Sequence, residues 1–143
     1  MAASRTASVV WEGELFSGKG TATLESSGLA RDLPVSWPSR TEEANGQTSP
    51  EELIAAAHAS CFSMAFSKQL NDRNAPPQRL ETSATVTFVP GTGITTSELT
   101  VRVTAEGLEQ AALDEAAAAA KDGCPVSQAL KGNVEISVDA SLA

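Results

Sequence analysis

The sequence lacks tyrosine and has few of the residues that build charged or metal-binding surfaces. It contains one histidine, two cysteines and only 10 lysines and arginines against 18 acidic residues, for a net charge of −8. Nucleic acids and anionic membranes both need clustered basic side chains, so we expect neither as a partner. Two cysteines and one histidine cannot supply four ligands, and no CxxC pair is present. A structural zinc site is therefore excluded.

Large apolar side chains are also scarce. Leu, Ile, Val and Phe total 29 of 143 residues, whereas alanine alone accounts for 24. The length fits a single domain over residues 1–143. So few large apolar side chains leave two possibilities for the hydrophobic core. The chain is either a marginally stable monomer, or it completes its core with a partner subunit.

No apolar run suggests export or membrane insertion. The N-terminal residues form no apolar signal region, and no stretch approaches the roughly 20 apolar residues of a membrane helix. We therefore expect a cytoplasmic protein, in which the cysteines are kept reduced.

The hydrophobic periodicity changes from strand-like to helical and back, which predicts an α+β fold in the order βββ-α-ββ-αα-β. Ser49-Pro50-Glu51-Glu52 is typical of a capped helix start, and Gly123 is predicted as a left-handed helix cap. The predicted strands are residues 8–16, 19–26, 33–37, 80–89, 99–105 and 133–140, and the predicted helices are 49–70, 108–121 and 125–131. A polar loop is expected at 41–49.

The long helix is predicted to carry one apolar stripe, because its larger apolar residues recur at helical spacing. The members of this predicted stripe are Leu53, Ile54, Ala57, Cys61, Met64 and Ala65.

The two cysteines differ in their local surroundings. Cys124 directly precedes Pro125 at the start of a short helix, where free amides favour a thiolate. A small hydrophobe filling a tight turn is an equally good interpretation of Cys124. Cys61 lies within the long helix, where burial alone would raise its pKa and make it inert. A buried structural cysteine is the favoured interpretation of Cys61 on this basis.

Three other side chains are candidates for a site near the helix. His58 lies one turn before Cys61 and could face it, although a lone histidine on an apolar stripe is more often a satisfied core residue. Glu51 is not needed for the helix cap, but about 15 Å of helix axis separates it from Cys61. Arg40 is the arginine best placed to enter a site near the helix, with an ordinary solvated loop arginine as the alternative.

Three blocks of sequence carry a family resemblance. Residues 49–66 are SPEELIAAAHASCFSMAF, residues 123–130 are GCPVSQAL and residues 11–20 are WEGELFSGKG. Together they resemble the OsmC/Ohr family, and the start and the histidine at 58 resemble its OsmC branch. The resemblance implies antiparallel sheets packed on long central helices in an intertwined homodimer.

The resemblance also implies an activity, that of a thiol-dependent peroxidase acting on organic hydroperoxides and more weakly on hydrogen peroxide. In that family the cysteine of the central helix attacks the peroxide, which places this role on Cys61. The cysteine of the GCPVS block resolves the sulfenic acid, which places that role on Cys124. The family's arginine and glutamate map onto Arg40 and Glu51.

The remaining expectations concern the substrate and the reductant. Phe62, Met64 and Phe66 adjoin the cysteine and are predicted to form an apolar substrate wall, with core packing as the alternative for at least one of them. No cofactor or metal is expected, and the reductant implied by the resemblance is a dithiol or a lipoyl group on a carrier protein. A redox sensor or binding protein without useful turnover, and a Cys-His hydrolase, are the competing functions.

Overall fold

The computed structural model describes residues 1–143 and divides into two compact units, residues 1–50 and 51–143. The α+β class is confirmed, with one short helix more than the sequence predicts. The elements are β1 (Ser8–Glu12), β2 (Lys19–Thr23), β3 (Leu33–Val35), α1 (Trp37–Thr41), α2 (Pro50–Asp72), β4 (Arg79–Val89), β5 (Gly93–Thr104), α3 (Gln110–Gly123), α4 (Pro125–Leu130) and β6 (Glu135–Leu142). No helix has the length and apolar character needed to cross a membrane.

The first unit is a three-stranded antiparallel sheet in the order β1-β2-β3, followed by α1. Glycine is required at residue 18, just before β2, since a Cβ there would clash with the carbonyl oxygen of Glu14. Helix α1 was not predicted. It begins with a capping box in which Ser36 and Ser39 each accept a hydrogen bond from the other's backbone amide.

The second unit contains a sheet in the order β4-β5-β6. Strands β4 and β5 pair as an antiparallel hairpin, and burial alternates along β4 and from Ser97 onward in β5, as expected when one face of a strand is covered. Strand β6 runs parallel to β5, so this sheet is mixed rather than purely antiparallel.

The face that helix α2 turns to the core overlaps the predicted stripe only in part, since Cys61 and Ala65 of that stripe pack against the core. His58, Phe62, Phe66 and Leu70 are fully buried at a spacing of four residues, so the aromatic side chains define the inner face. Met64, assigned to the predicted stripe, has 72% of its surface exposed. The prediction followed Leu53, Ile54 and Met64 and missed the face that carries Phe62 and Phe66, because small alanines and serines separate the large side chains of this helix.

The core of the second unit joins α2 to the sheet and to α3. Its fully or nearly fully buried members are Phe62, Phe66, Leu70, Leu99, Val101, Val103, Leu113, Ala116, Ala117, Ala120 and Cys124. Apart from Leu113, the core residues on α3 are all alanines. Their small side chains let this helix approach its neighbours closely.

The junction of α3 and α4 places Cys124. The predicted left-handed cap at Gly123 is wrong, because Gly123 is the last residue of α3 and is not among the residues with positive φ. Cys124 has an extended backbone and is both the C-cap of α3 and the N-cap of α4. Pro125 then starts α4 as predicted, since proline suits the first helical position.

Candidate active site

The site is a pair of free thiols, Cys61 on α2 and Cys124 between α3 and α4. Each thiol affects the ionisation of the other, so the fold brings together two cysteines that are far apart in sequence. Cys61 is half-buried, whereas Cys124 is completely buried in the core of the second unit. A reagent from solvent therefore meets Cys61 first.

The surroundings of Cys124 favour its thiolate. Burial opposes ionisation, but the backbone amides of Ser127 and Val126, the Ser127 hydroxyl and the Cys61 thiol all act on the sulfur and together lower the pKa of Cys124. This agrees with the ranking of the two thiols drawn from local sequence alone.

The surroundings of Cys61 favour its neutral thiol. Burial raises the pKa of Cys61, and the amide of Val126 offsets this only in part. The neighbouring Cys124 raises it further, because a second negative charge beside a thiolate is unfavourable. Once one thiol of the pair has lost its proton, the negative charge lies preferentially on Cys124.

His58 does not serve Cys61 as the hydrolase interpretation requires. Its Nδ1 lies 2.6 Å from the Ser97 hydroxyl and its Nε2 lies 2.8 Å from the Ser127 hydroxyl. Both ring nitrogens are therefore engaged by serines, and burial lowers the pKa of His58. Sequence reasoning missed Ser97 and Ser127. The only available signal was that Ser127 belongs to the family-like block after Cys124.

Arg40 and Glu51 are placed on different units. Glu51 is buried in the first turn of α2, and the helix rise keeps it about 15 Å along the axis from Cys61. Arg40 belongs to α1 of the first unit, where its guanidinium carbon lies 6.0 Å from the centre of the Trp37 ring. The roles of both residues at the thiol stay predictions.

The three residues predicted to form the substrate wall differ in their exposure to solvent. Phe62 and Phe66 are fully buried with ring centres 5.4 Å apart, and they belong to the core of the second unit. Met64 is exposed. Within one chain, only Met64 of the three presents its side chain to solvent.

The charged and sulfur-bearing side chains form no metal site. No group of three or more His, Cys, Asp or Glu side chains is arranged so that it could hold a metal ion. The chemistry that the site offers is that of two neighbouring thiols with unlike surroundings.

The fold and the thiol pair place this chain among small α+β proteins whose fold brings two cysteines together. Residues 43–139 match the family described as OsmC-like protein. The chain is 40% identical over 129 residues to Peroxiredoxin OsmC of Escherichia coli, covering 88% of this chain and 89% of that protein. It is 30% identical over 125 residues to organic hydroperoxide resistance protein-like 1 of Staphylococcus saprophyticus, covering 83% of this chain and 86% of that one. The chain belongs to the OsmC-like family.

The fold of solved relatives agrees with this membership. The crystal structure of the organic hydroperoxide resistance protein OhrB of Bacillus subtilis superposes with a TM-score of 0.67 at 26% identity, covering 94% of this chain and 97% of that chain. An OsmC-like protein from Mycoplasma pneumoniae superposes with a TM-score of 0.75 at 13% identity, covering 100% of this chain and 99% of that chain. At that identity the second likeness speaks for the fold alone.

Proposed function

We propose that the protein is a thiol-dependent peroxidase that reduces organic hydroperoxides, and hydrogen peroxide more weakly, to alcohols or water. The observation that carries this proposal is the contact between the Cys61 and Cys124 thiols, one reachable from solvent and the other buried. The names of the relatives, a peroxiredoxin and organic hydroperoxide resistance proteins, support the same reaction class.

Access supports Cys61 as the attacking cysteine in this proposal. A hydroperoxide with a bulky organic group has difficulty in approaching a sulfur with no exposed surface, which argues against Cys124 as the first nucleophile. The Cys61 thiolate attacks the terminal oxygen of ROOH in line with the O–O bond. The S–O bond forms, the O–O bond breaks, and the leaving alkoxide takes a proton to become ROH.

Cys124 then resolves the oxidised sulfur. Its thiolate attacks the Cys61 sulfenic acid, the S–S bond forms, and the departing hydroxide takes a proton to become water. The lowered pKa of Cys124 suits this step, because a thiolate is the attacking species.

The first step requires help for Cys61, whose raised pKa opposes the thiolate. In this proposal Arg40 supplies the cation that stabilises it, with Glu51 orienting the guanidinium. A positive charge within about 4–6 Å of a thiol favours its ionised form.

A homodimer is part of the proposal, with Arg40 or Glu51 of one subunit completing the site of the other. The apolar side chains left exposed support an association between copies, because a monomer gains nothing from keeping them in water. They include Val9, Val10, Trp11, Leu15, Phe16 and Leu29 in the first unit and Leu53, Met64, Val89 and Leu142 in the second. The reductant proposed is a dithiol, with lipoyl groups as the physiological form.

The test is steady-state consumption of cumene hydroperoxide or hydrogen peroxide with dihydrolipoamide as reductant. Wild-type protein is expected to turn over repeatedly and to prefer the organic peroxide. Cys61→Ser should be inactive, and Cys124→Ser should lose cycling and accumulate over-oxidised Cys61, detected by mass spectrometry. His58→Gln is the control against a Cys-His hydrolase, which it would inactivate. A stoichiometric burst without cycling would refute the enzyme and favour a redox sensor.

A further inference from the structure

A buried hydrogen-bonded chain leads from the sheet of the second unit to the thiol pair. Ser97 on β5, His58 on α2 and Ser127 on α4 are all buried. The two imidazole nitrogens lie 2.6 Å and 2.8 Å from the two hydroxyl oxygens. One side chain thus ties three separate elements together at the position of Cys124.

The proton positions along this chain follow from its chemistry. Burial keeps His58 neutral, and a neutral imidazole has one nitrogen that donates and one that accepts. Ser127 lies three residues after Cys124, in the first turn of α4, so the two buried side chains share one face of the helix start. The Ser127 hydroxyl is also one of the groups that lower the pKa of Cys124. If that hydroxyl donates to the sulfur, its oxygen must accept from Nε2–H of His58, and Nδ1 must accept from Ser97. Each donor in the chain then points toward Cys124.

We propose that Ser97, His58 and Ser127 form a positioning relay that holds the Ser127 hydroxyl on the Cys124 sulfur and stabilises the thiolate that resolves Cys61. The role in resolution rests on the proposed peroxidase function. His58 keeps its single proton throughout. The proton of the Cys124 thiol leaves to solvent before the attack, and the hydroxide released from the sulfenic acid takes up a proton as water.

This role differs from simple satisfaction of buried polar groups. Two serines and a histidine that only filled space could be replaced together by apolar groups at little cost. A relay instead fixes which way the Ser127 hydroxyl points, so its loss should change the ionisation of Cys124 while the fold is retained.

The test titrates the Cys124 thiolate by its ultraviolet absorbance in a Cys61→Ser background, where Cys124 is the only cysteine. Ser127→Ala is expected to lower the thiolate fraction about tenfold on the acidic side of the titration, because a hydrogen bond to a charged sulfur is lost. Ser127→Thr retains a hydroxyl and should preserve the fraction. Ser63→Ala is the matched control, since the Ser63 hydroxyl bonds to Thr82 instead.

The histidine is tested in the same background by a pair of variants. His58→Leu removes both hydrogen bonds and should lower the thiolate fraction as Ser127→Ala does. His58→Gln offers one carbonyl acceptor and one amide donor at similar separation, so it should restore the fraction. Far-ultraviolet circular dichroism checks that each variant is folded. If His58→Leu does not fold, Ser127→Ala alone decides the test.

The outcomes separate the relay from the peroxidase. An unchanged thiolate fraction in Ser127→Ala would overturn the relay even where wild-type protein consumes hydroperoxide normally. Equal losses in His58→Gln and His58→Leu would overturn it too. If the variants shift the titration as expected while wild-type protein fails to cycle, the thiolate stabilisation stands and the peroxidase function fails.

Discussion

Joining Cys61 to Cys124 by a disulfide should stabilise the second unit by a large and calculable amount. The two thiols interact in the folded protein, so the fold already brings the pair together for this bond. Cross-linking removes conformations from the unfolded chain, and the effect grows with the length of the closed loop.

The size of the effect follows from the positions of the cysteines. The loop between residues 61 and 124 spans about 63 residues, for which the chain-entropy relation gives about 4 kcal/mol at 25 °C. The second unit, residues 51–143, unfolds with an entropy of roughly 0.2 kcal/mol/K at the usual value per residue. Since measured disulfides reach about 2–4 kcal/mol, the oxidised protein should melt about 10–20 °C above the reduced protein.

The assay is thermal unfolding of the reduced and the mildly oxidised protein, followed by circular dichroism at one protein concentration. Fixed concentration is needed because association between copies also changes the midpoint. Non-reducing mass spectrometry establishes that the bond is intramolecular. Cys124→Ser, treated in the same way, serves as the control and should show no shift.

A shift below about 3 °C, with the intramolecular bond fully formed, would refute the reasoning. It would mean that forming the bond strains the folded chain by nearly as much as it restricts the unfolded one.

Three further predictions concern stability. Phe66→Ala removes a fully buried ring and should cost about 3–5 kcal/mol in urea unfolding, whereas Met64→Ala at an exposed position should stay within about 0.5 kcal/mol. Because burial lowers the pKa of His58 below its usual 6.5, the unfolded chain binds the extra proton more readily. Stability should therefore fall as the pH drops through 6.5, and His58→Gln should lose this part of the pH dependence in urea titrations at several pH values. Gly18→Ala should lower the melting temperature, since the new Cβ would meet the Glu14 carbonyl, while Gly46→Ala has open space and tests only the positive φ there.

Much of the second unit could be predicted from local pattern. Alternation along β4 and β5 and the proline at the start of α4 are local signals, and the structure follows each of them. Helix α1 could not be predicted because its five residues are too few for a periodic signal, and its first residue, Trp37, lies at the end of the predicted strand 33–37. The prediction of one domain over the whole chain stays a prediction.

The inner face of α2 shows why the rest could not be predicted. Several faces of this alanine-rich helix carry an apolar residue at helical spacing, so periodicity does not choose between them. The choice is made by the sheet, against which Phe62 and Phe66 pack. The contact of His58 with Ser97 likewise joins residues 39 positions apart, and no local rule relates them.

The two thiols have opposite tendencies, and together these argue for an order of events. If the pKa alone decided, Cys124 would be the first nucleophile, but its complete burial denies it a bulky substrate. Cys61 has the access and lacks the charge. The pair is thus suited to the resolving step, in which the Cys124 thiolate attacks a sulfenic acid on the neighbouring Cys61. It is not sufficient for the peroxide attack, which needs a thiolate on Cys61. A thiolate on Cys61 therefore needs a stabilising cation, and that requirement is the physical reason for proposing Arg40 at the site.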